Sequence, residues 1–179
     1  MGQELRKGSD SSSRGNRGGP NEVGGKNQDI ARQLAWEIAA INVHLQEIRY
    51  FWAKALGISG PQWMILMALA DLDKGEGVPV KVVSKMLHVD PSFVTTQSKM
   101  LEKKGFMRRR TSADDARVVQ MSLTDKTYKH IANLASEQEA LNNFVFAEFS
   151  DRELSELTGK LATLKGRLEK ASLKIAMGI

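Results

Sequence analysis

Residues 80–106 read VKVVSKMLHVDPSFVTTQSKMLEKKGF. The first eight of them predict a short amphipathic helix, with an apolar face of Val82, Val83, Met86 and Leu87. After a tight connection, Asp90 is placed as an N-cap and Pro91 as the first residue of a second helix. That helix is predicted to reach about Lys104 and to end at Gly105. The stretch therefore predicts two helices joined by a turn.

The second helix has two chemically different faces. Val94, Ser98 and Leu101 fall on one side at 100° per residue, where they can pack on the preceding helix. The opposite stripe offers hydroxyls and ammonium groups, on Ser92, Thr96, Lys99 and Lys103. Short polar side chains near a helix N-terminus can reach base edges in a major groove, and lysines further along can reach phosphates. Taken alone, such a stripe is more often an ordinary solvated face.

A strongly basic hairpin follows the second helix. Two strand-like runs, 106–110 and 118–123, are separated by the polar segment 111–117. Residues 99–117 contain seven Lys or Arg and three acids, a local charge of +4 in a chain whose net charge is +5. Because positive charge beside a helix-turn-helix neutralises phosphates, this concentration favours binding to DNA over the solvated-face interpretation.

Three segments together resemble the MarR family of winged helix-turn-helix transcription regulators. They are LGISGPQWMILMAL at 56–69, VSKMLHVDPSFVTTQSKMLEKKGF at 83–106, and Asp115-Ala116-Arg117 followed by MSLT at 121–124. The resemblance implies a mainly α fold with a small β-hairpin wing. It also implies a winged helix-turn-helix domain over 57–124, and a regulator, commonly a repressor, that binds double-stranded DNA.

This interpretation assigns candidate DNA contacts. The candidates for base edges are Ser92, Thr95, Thr96 and Gln97, the candidates for phosphates are Lys99 and Lys103, and Arg109 and Arg110 are further candidates for DNA binding. Arg117 is predicted to enter the minor groove, where a guanidinium responds to groove width and potential. Asp115 is predicted to orient the wing, because phosphates would repel a carboxylate that faced them.

The segments outside this region predict a tail and dimerisation helices. Residues 1–28, rich in glycine and serine, are expected to be disordered, and a long helix over 29–56 is apolar on two sides. Residues 125–179 predict two more helices, the last with a coiled-coil-like seam. The first of these two is predicted to be capped by Thr124 or Asp125 and to reach about Phe149, with a buried strip of Ile131, Leu134, Leu141, Val145 and Phe149. Capping boxes are predicted at Ser59–Gln62 and at Ser150–Glu153, each at the start of a helix. Apolar strips at both ends indicate a homodimer on a near-palindromic site. The predicted dimer contacts are Ile30, Leu34, Ile38, Leu157, Leu161, Leu164 and Leu168.

The resemblance also implies a small effector. Many regulators of this type release DNA when an aromatic or phenolic acid binds between the dimer helices and the DNA-binding lobe. An arginine among aromatic side chains suits such an acid, although ordinary core packing explains the same residues at least as well. The candidate ligand contacts are His44, Arg49, Tyr50, Trp52, Trp63 and Met67.

Composition bears on the other functional classes. The chain has no cysteine, which excludes disulfides and thiolate zinc sites. The three histidines are scattered, and there is no phosphate-binding loop or metalloprotease spacing, so we expect no enzyme, no metal and no cofactor. Without a signal peptide or a membrane-spanning run, a cytoplasmic location is expected. The alternative function is a helical interaction module whose basic hairpin binds nucleic acid non-specifically, without ligand sensing.

Overall fold

A computed structural model of the chain describes residues 21–179, with side chains from Asn27 onward. The predicted disorder of the tail therefore lies largely outside the described residues. The described chain falls into two units that divide between Met64 and Ile65. The first contains a long helix and the start of the next one, and the second contains the remainder.

The architecture is mainly helical with one small antiparallel sheet, which confirms the predicted fold class. The elements in chain order are α1 Asn21–Ala55, α2 Gly60–Leu72, β1 Val78–Pro79, α3 Val80–Leu87, α4 Pro91–Lys103, β2 Met107–Thr111, β3 Val119–Leu123, α5 Asp125–Val145 and α6 Asp151–Ala176. The sheet has the order β1-β3-β2. The sequence predicted only the hairpin. It missed β1 because a two-residue strand ending in proline shows no periodicity.

Helix α1 begins eight residues earlier than the predicted start at Asp29. Residues 21–28 were expected to belong to the disordered tail, and the structure places them in the helix instead. Once a helix exists, each further residue adds a hydrogen bond without a new nucleation step, so a helix can extend into a segment of poor propensity. At its other end, α1 stops at Ala55, and Gly57 takes a positive φ of 64°.

The core of the second unit lies between the helix-turn-helix and the sheet. α4 contacts both α3 and β2, and α3 also contacts β1 and β3. The largest apolar side chains fully enclosed in this unit come from α2, α3, α4, β2 and β3, and they are Ile65, Leu66, Leu69, Val83, Val94, Leu101, Met107 and Met121. This core fixes the orientation of α4 relative to the sheet. That orientation determines which face of α4 is exposed.

Two predicted apolar faces are wrong in detail. In α3, Val82 and Met86 are exposed, and Val83 and Ser84 are the buried residues, so the helix turns a narrower face inward than its pattern indicated. In α5, predicted to reach Phe149, the helix ends at Val145. Thr127 is its buried residue, and the predicted strip is half-buried or exposed, namely Ile131, Leu134, Leu141, Val145 and Phe149.

The predicted helix caps are confirmed. Ser59 and Gln62 exchange hydrogen bonds of 3.2 and 3.4 Å at the start of α2. Ser150 and Glu153 form a capping box at the start of α6, and the hydrogen bonds from Ser150 lower the pKa of the Glu153 carboxyl. Thr124, one of two candidates for the α5 cap, accepts a hydrogen bond from the Thr127 N–H.

Membrane-spanning potential is low in the described helices taken one at a time. No single helix there combines the length and apolarity that a span needs, and only the pair Asn27–Ala55 and Gly60–Leu72, counted together across the break between them, meets the criterion of length and composition.

Candidate nucleic-acid interface

Helix α4 is fixed at both ends by local hydrogen bonds. At the N-terminus the Asp90 carboxylate accepts the backbone N–H of Ser92 at 2.7 Å, as the sequence predicted for an N-cap. The hydroxyl and backbone N–H of Ser92 together lower the pKa of Asp90. At the C-terminus Gly105, at φ 77°, and Phe106 donate to the carbonyls of Glu102 and Leu101, a Schellman motif.

The predicted division of α4 into two faces is confirmed. Val94, Ser98 and Leu101 are buried. The polar stripe is exposed along its whole length, at Ser92, Thr96, Lys99 and Lys103. Thr95 and Gln97, the other two candidates for base edges, are half-buried. Helix α4 therefore presents hydroxyls near its N-terminus and ammonium groups towards its C-terminus.

The hydroxyls of this surface donate their protons inside the helix. Thr95 Oγ1 donates to the Pro91 carbonyl at 2.9 Å, and Thr96 Oγ1 donates to the Ser92 carbonyl at 3.0 Å. A hydroxyl has one proton and two acceptor lone pairs. With the proton engaged, what these side chains offer outward is acceptor capacity, which suits a hydrogen-bond donor on a ligand.

The two faces of the wing differ in charge. Side chains alternate along a strand, so Met107 and Arg109 of β2 share one face, and Arg108 and Arg110 share the other. Met107 is buried, whereas Arg108 and Arg110 are exposed. Arg110 also lines a shallow cavity of about 80 Å³ together with Gly75, Glu76, Gly77, Gln120 and Ser122.

Arg109, one of the DNA-binding candidates, is largely enclosed. Its side chain is only 13 % exposed, and its Nη1 lies 4.0 Å from Glu102 Oε2 on α4. The backbone N–H of Arg109 donates to Glu102 Oε1 at 2.9 Å. The residue is therefore held against α4 by the carboxylate of Glu102.

The wing tip is closed by hydrogen bonds centred on Asp115. The backbone N–H of Arg117 donates to Asp115 Oδ1 at 2.9 Å, and the N–H of Val118 donates to the Asp115 carbonyl at 2.9 Å. Ser112 closes the loop from the other side by accepting the backbone N–H of Asp114 at 3.3 Å. Asp115 thus accepts the hydrogen bonds that close the loop carrying the exposed Arg117.

The candidate ligand residues lie in different surroundings. His44 is exposed and its Nδ1 lies 3.0 Å from Glu47 Oε2, and Tyr50 is also exposed. Trp52 and Trp63 are buried, and the Trp52 ring packs edge-on against Phe51 at 5.2 Å. Arg49 and Met67 are half-buried. Among the described residues, no group of three or more His, Cys, Asp or Glu is placed to hold a metal ion.

The candidate dimer residues form apolar strips at the surface of the single chain. Ile30 and Leu34 of α1 are exposed, and Ile38 is half-buried. In α6, Leu157, Leu161 and Leu168 are exposed and Leu164 is half-buried. No residue of α6 is buried.

Two residues that position the interface were missed by the sequence. In the sequence Glu102 is one acid in a basic run, and nothing in its spacing from Arg109 indicates a contact between helix and strand. Thr127 is fully buried, and its hydroxyl donates to the Phe106 carbonyl at 2.7 Å, next to the end of α4. A lone threonine in the first turn of a helix gives no sequence signal for such a contact.

Comparison with known proteins agrees with this geometry. Residues 58–119 match the family model described as the MarR family. The chain is 28 % identical over 116 residues to the "HTH-type transcriptional repressor MdtR" of Bacillus subtilis, a match that covers 63 % of this chain and 75 % of that protein.

Solved structures of the same architecture include two that contain DNA. A putative MarR family regulator from Listeria monocytogenes, complexed with a 26mer DNA, has a TM-score of 0.67 at 20 % identity, covering 80 % of this chain and 94 % of that one. The Staphylococcus aureus MepR–DNA complex has a TM-score of 0.65 at 17 % identity, covering 75 % and 95 %. The family match, the sequence relatives and the shared fold agree that residues 58–119 of this chain match the MarR family and that the chain is similar to helix-turn-helix transcriptional regulators.

Proposed function

We propose that the protein is a homodimeric repressor that binds a near-palindromic DNA site and is released from it by a small aromatic acid. The observation that carries the DNA-binding part is the arrangement of the second unit. A capped helix exposes hydroxyls and lysines, and a hydrogen-bonded loop beside it presents an arginine. Two similar structures contain DNA, which supports the same partner for this chain.

In this proposal α4 lies in the major groove. Thr96, Thr95 and Ser92 contact base edges, with Gln97 beside them, and Lys99 and Lys103 contact phosphates. Because the threonine hydroxyls donate their protons to helix carbonyls, they accept from a base. The major-groove donors are the exocyclic amines of adenine and cytosine. The hydroxyls therefore favour A or C at the contacted positions.

The wing adds a second, less sequence-dependent contact. Arg117 enters the minor groove, where a narrow groove concentrates negative potential. Asp115 holds the backbone of this loop through the Arg117 N–H, which fixes where the guanidinium begins. Arg110 is exposed on the outer face of β2 and contributes to phosphate neutralisation.

Dimerisation supplies the two-fold symmetry of the site. The exposed leucines of α6 recur at spacings of three and four residues, as in a helix–helix seam, and α1 carries an apolar strip of its own at Ile30, Leu34 and Ile38. Two subunits then place two copies of α4 about one helical turn of DNA apart. The boundaries assigned to this arrangement are 29–56 and 125–179 for dimerisation and 57–124 for DNA binding.

Release by a ligand is supported only by the chemistry of the residues between 44 and 67. Arg49 can pair with a carboxylate, His44 and Tyr50 are exposed polar groups, and Trp52 and Trp63 are buried aromatic rings. Met67 completes the candidate set. A ligand that favours one spacing of the two recognition helices lowers affinity for a duplex that requires another.

The test begins with selection of bound fragments from a random duplex pool. A two-fold symmetric consensus is expected, with A or C at the bases that Thr96 contacts, and repeating the selection with Thr96→Val should relax those positions. Fluorescence anisotropy on the selected duplex should then show that Arg117→Ala weakens binding by about tenfold or more, because the guanidinium contact in the minor groove is lost. The variant should remain a dimer in sedimentation.

The alternative is a module that binds nucleic acid through bulk charge. It predicts equal affinity for the selected duplex and for random duplex of the same length. That result would reject the proposed function, and an unchanged affinity in Arg117→Ala would reject the role of the wing.

A further inference from the structure

We infer that Glu102 is a positioning residue that fixes the wing relative to the recognition helix, so that α4 and Arg117 engage one duplex together. The inference rests on the proposed function, and it concerns a residue that makes no DNA contact in that proposal. It also makes Arg109, a DNA-binding candidate, the partner of Glu102 instead.

Glu102 adds a polar contact between α4 and β2, two elements that also pack on each other. It lies in the last turn of α4, and its Oε1 accepts the backbone N–H of Arg109 in β2 at 2.9 Å. That N–H belongs to the edge strand of the sheet, since the order is β1-β3-β2. A carboxylate from α4 thus occupies a hydrogen-bonding position of the edge strand, and it fixes the distance between helix and wing.

The Arg109 side chain reinforces this contact. It is 13 % exposed while Glu102 is 41 % exposed, and the two charged groups lie 4.0 Å apart. The Nε of Arg109 is buried and has no hydrogen-bond partner among the described residues. A guanidinium bears that cost when an opposite charge lies nearby, so the Glu102 carboxylate is the group that makes burial of Arg109 tolerable.

Glu102 is notable for its negative charge as well as for its contacts. It stands between Lys99 and Lys103 on a helix that is proposed to approach phosphates. A carboxylate there opposes DNA binding electrostatically. If Glu102 acted only through its charge, any substitution that removes the charge would strengthen DNA binding. If Glu102 positions the wing, affinity depends instead on whether the side chain is long enough to accept the Arg109 N–H.

Two variants separate the effect of the Glu102 charge from the effect of its side-chain length. Glu102→Gln loses the charge, and with it the pairing to the Arg109 guanidinium, but keeps an oxygen at the same distance for the Arg109 N–H, so it should bind the selected duplex more tightly than Glu102→Asp does. Glu102→Asp keeps the charge but is one methylene shorter, so it should lose the Arg109 N–H and bind about tenfold more weakly. Equal affinities for Glu102→Asp and the wild type would overturn the inference.

The link to the wing is tested by a double-mutant cycle with Arg117→Ala. If Glu102 acts by placing the wing, the loss from Glu102→Asp should largely disappear in the Arg117→Ala background, because the positioned contact is already gone. If Glu102→Asp weakened DNA binding independently of the wing, the fold-losses of the two single variants would multiply in the double variant. That result would also overturn the inference.

Matched controls keep this outcome distinct from failure of the proposed function. Asp114→Ala removes an exposed wing acid and should leave affinity unchanged or slightly higher. Arg110→Gln should reduce the salt dependence of binding by about one phosphate contact, and Arg109→Gln should not. If the wild type showed no duplex preference, the proposed function would fail. If it showed one but Arg109→Gln and Arg110→Gln changed the salt dependence equally, only this inference would fail.

Discussion

Apolar side chains are buried in the helix-turn-helix and its wing but exposed in the two terminal helices α1 and α6. In the former, Val94 and Leu101 are completely buried, and both ends of α4 are capped. In the latter, Ile30 is 63 % exposed and Leu168 is 59 % exposed, although both belong to regular apolar strips. The first region buries its own core within one chain, whereas the second leaves apolar surface uncovered.

This difference in burial indicates different roles for the two regions. Contiguous apolar surface of this kind marks an interaction site in a soluble protein. The stability of the winged region should therefore be a property of the single chain. The state of the terminal helices should depend on protein concentration, as expected for a surface that a second copy covers.

The largest expected effect comes from charges placed in the α6 seam. Leu161→Lys combined with Leu168→Lys should convert the proposed dimer to monomers, because each buried unpaired charge costs several kcal/mol. Sedimentation velocity at micromolar concentration measures the change. Affinity for a symmetric duplex should fall by at least about 100-fold as the second recognition helix is lost.

The control adds the same charge on the opposite side of α6. Ala162→Lys with Thr163→Lys places two lysines away from the leucine seam, where both residues are exposed. This variant should sediment like the wild type. A monomeric control, or a seam variant that stays dimeric, would contradict the assignment of the seam.

A smaller but concentration-independent effect is expected in the core of the winged region. Leu101→Ala removes a fully buried side chain at the junction of α4 with the sheet, and it should lower the free energy of unfolding by about 2–5 kcal/mol. The neighbouring Met100 is exposed, so Met100→Ala should cost about 0.5 kcal/mol or less. Urea unfolding at two protein concentrations measures both. A Leu101→Ala loss that changed with protein concentration would remove the distinction between the regions.

Residue patterns predicted the parts of the fold that local chemistry determines. The Asp90-Pro91 start of α4, the Gly105 stop and the Ser150–Glu153 capping box each depend on hydrogen bonds within a few residues, and all were confirmed. The exposed stripe of α4 was also predicted, because the 3.6-residue period fixes which residues share a face.

What the sequence did not predict depends on contacts between distant segments. Strand β1 forms because Val78 pairs with Met121. The Arg109 side chain is largely buried because it pairs with Glu102, which lies on helix α4. The predicted α5 strip failed for a related reason. Periodicity marks a face that can be buried, and it does not state whether the same chain buries it.

The smallest expected effect compares a cap from each region under acid. The pKa of Asp90 is lowered by its hydrogen bonds to Ser92, and that of Glu153 by its hydrogen bonds to Ser150. A carboxyl whose pKa is lowered on folding stabilises the protein above its unfolded pKa, and that contribution disappears as the pH falls through the folded value.

Each cap can therefore be titrated against a variant that keeps an acceptor but does not ionise. Asp90→Asn and Glu153→Gln should each give a thermal midpoint that depends less on pH than that of the wild type between about pH 5 and pH 2. The Asp90→Asn difference should appear in the unfolding of the winged region at any protein concentration. If Asp90→Asn followed the wild-type pH dependence throughout, the charge of Asp90 would have no part in holding α4, and the helix would depend on its buried face alone.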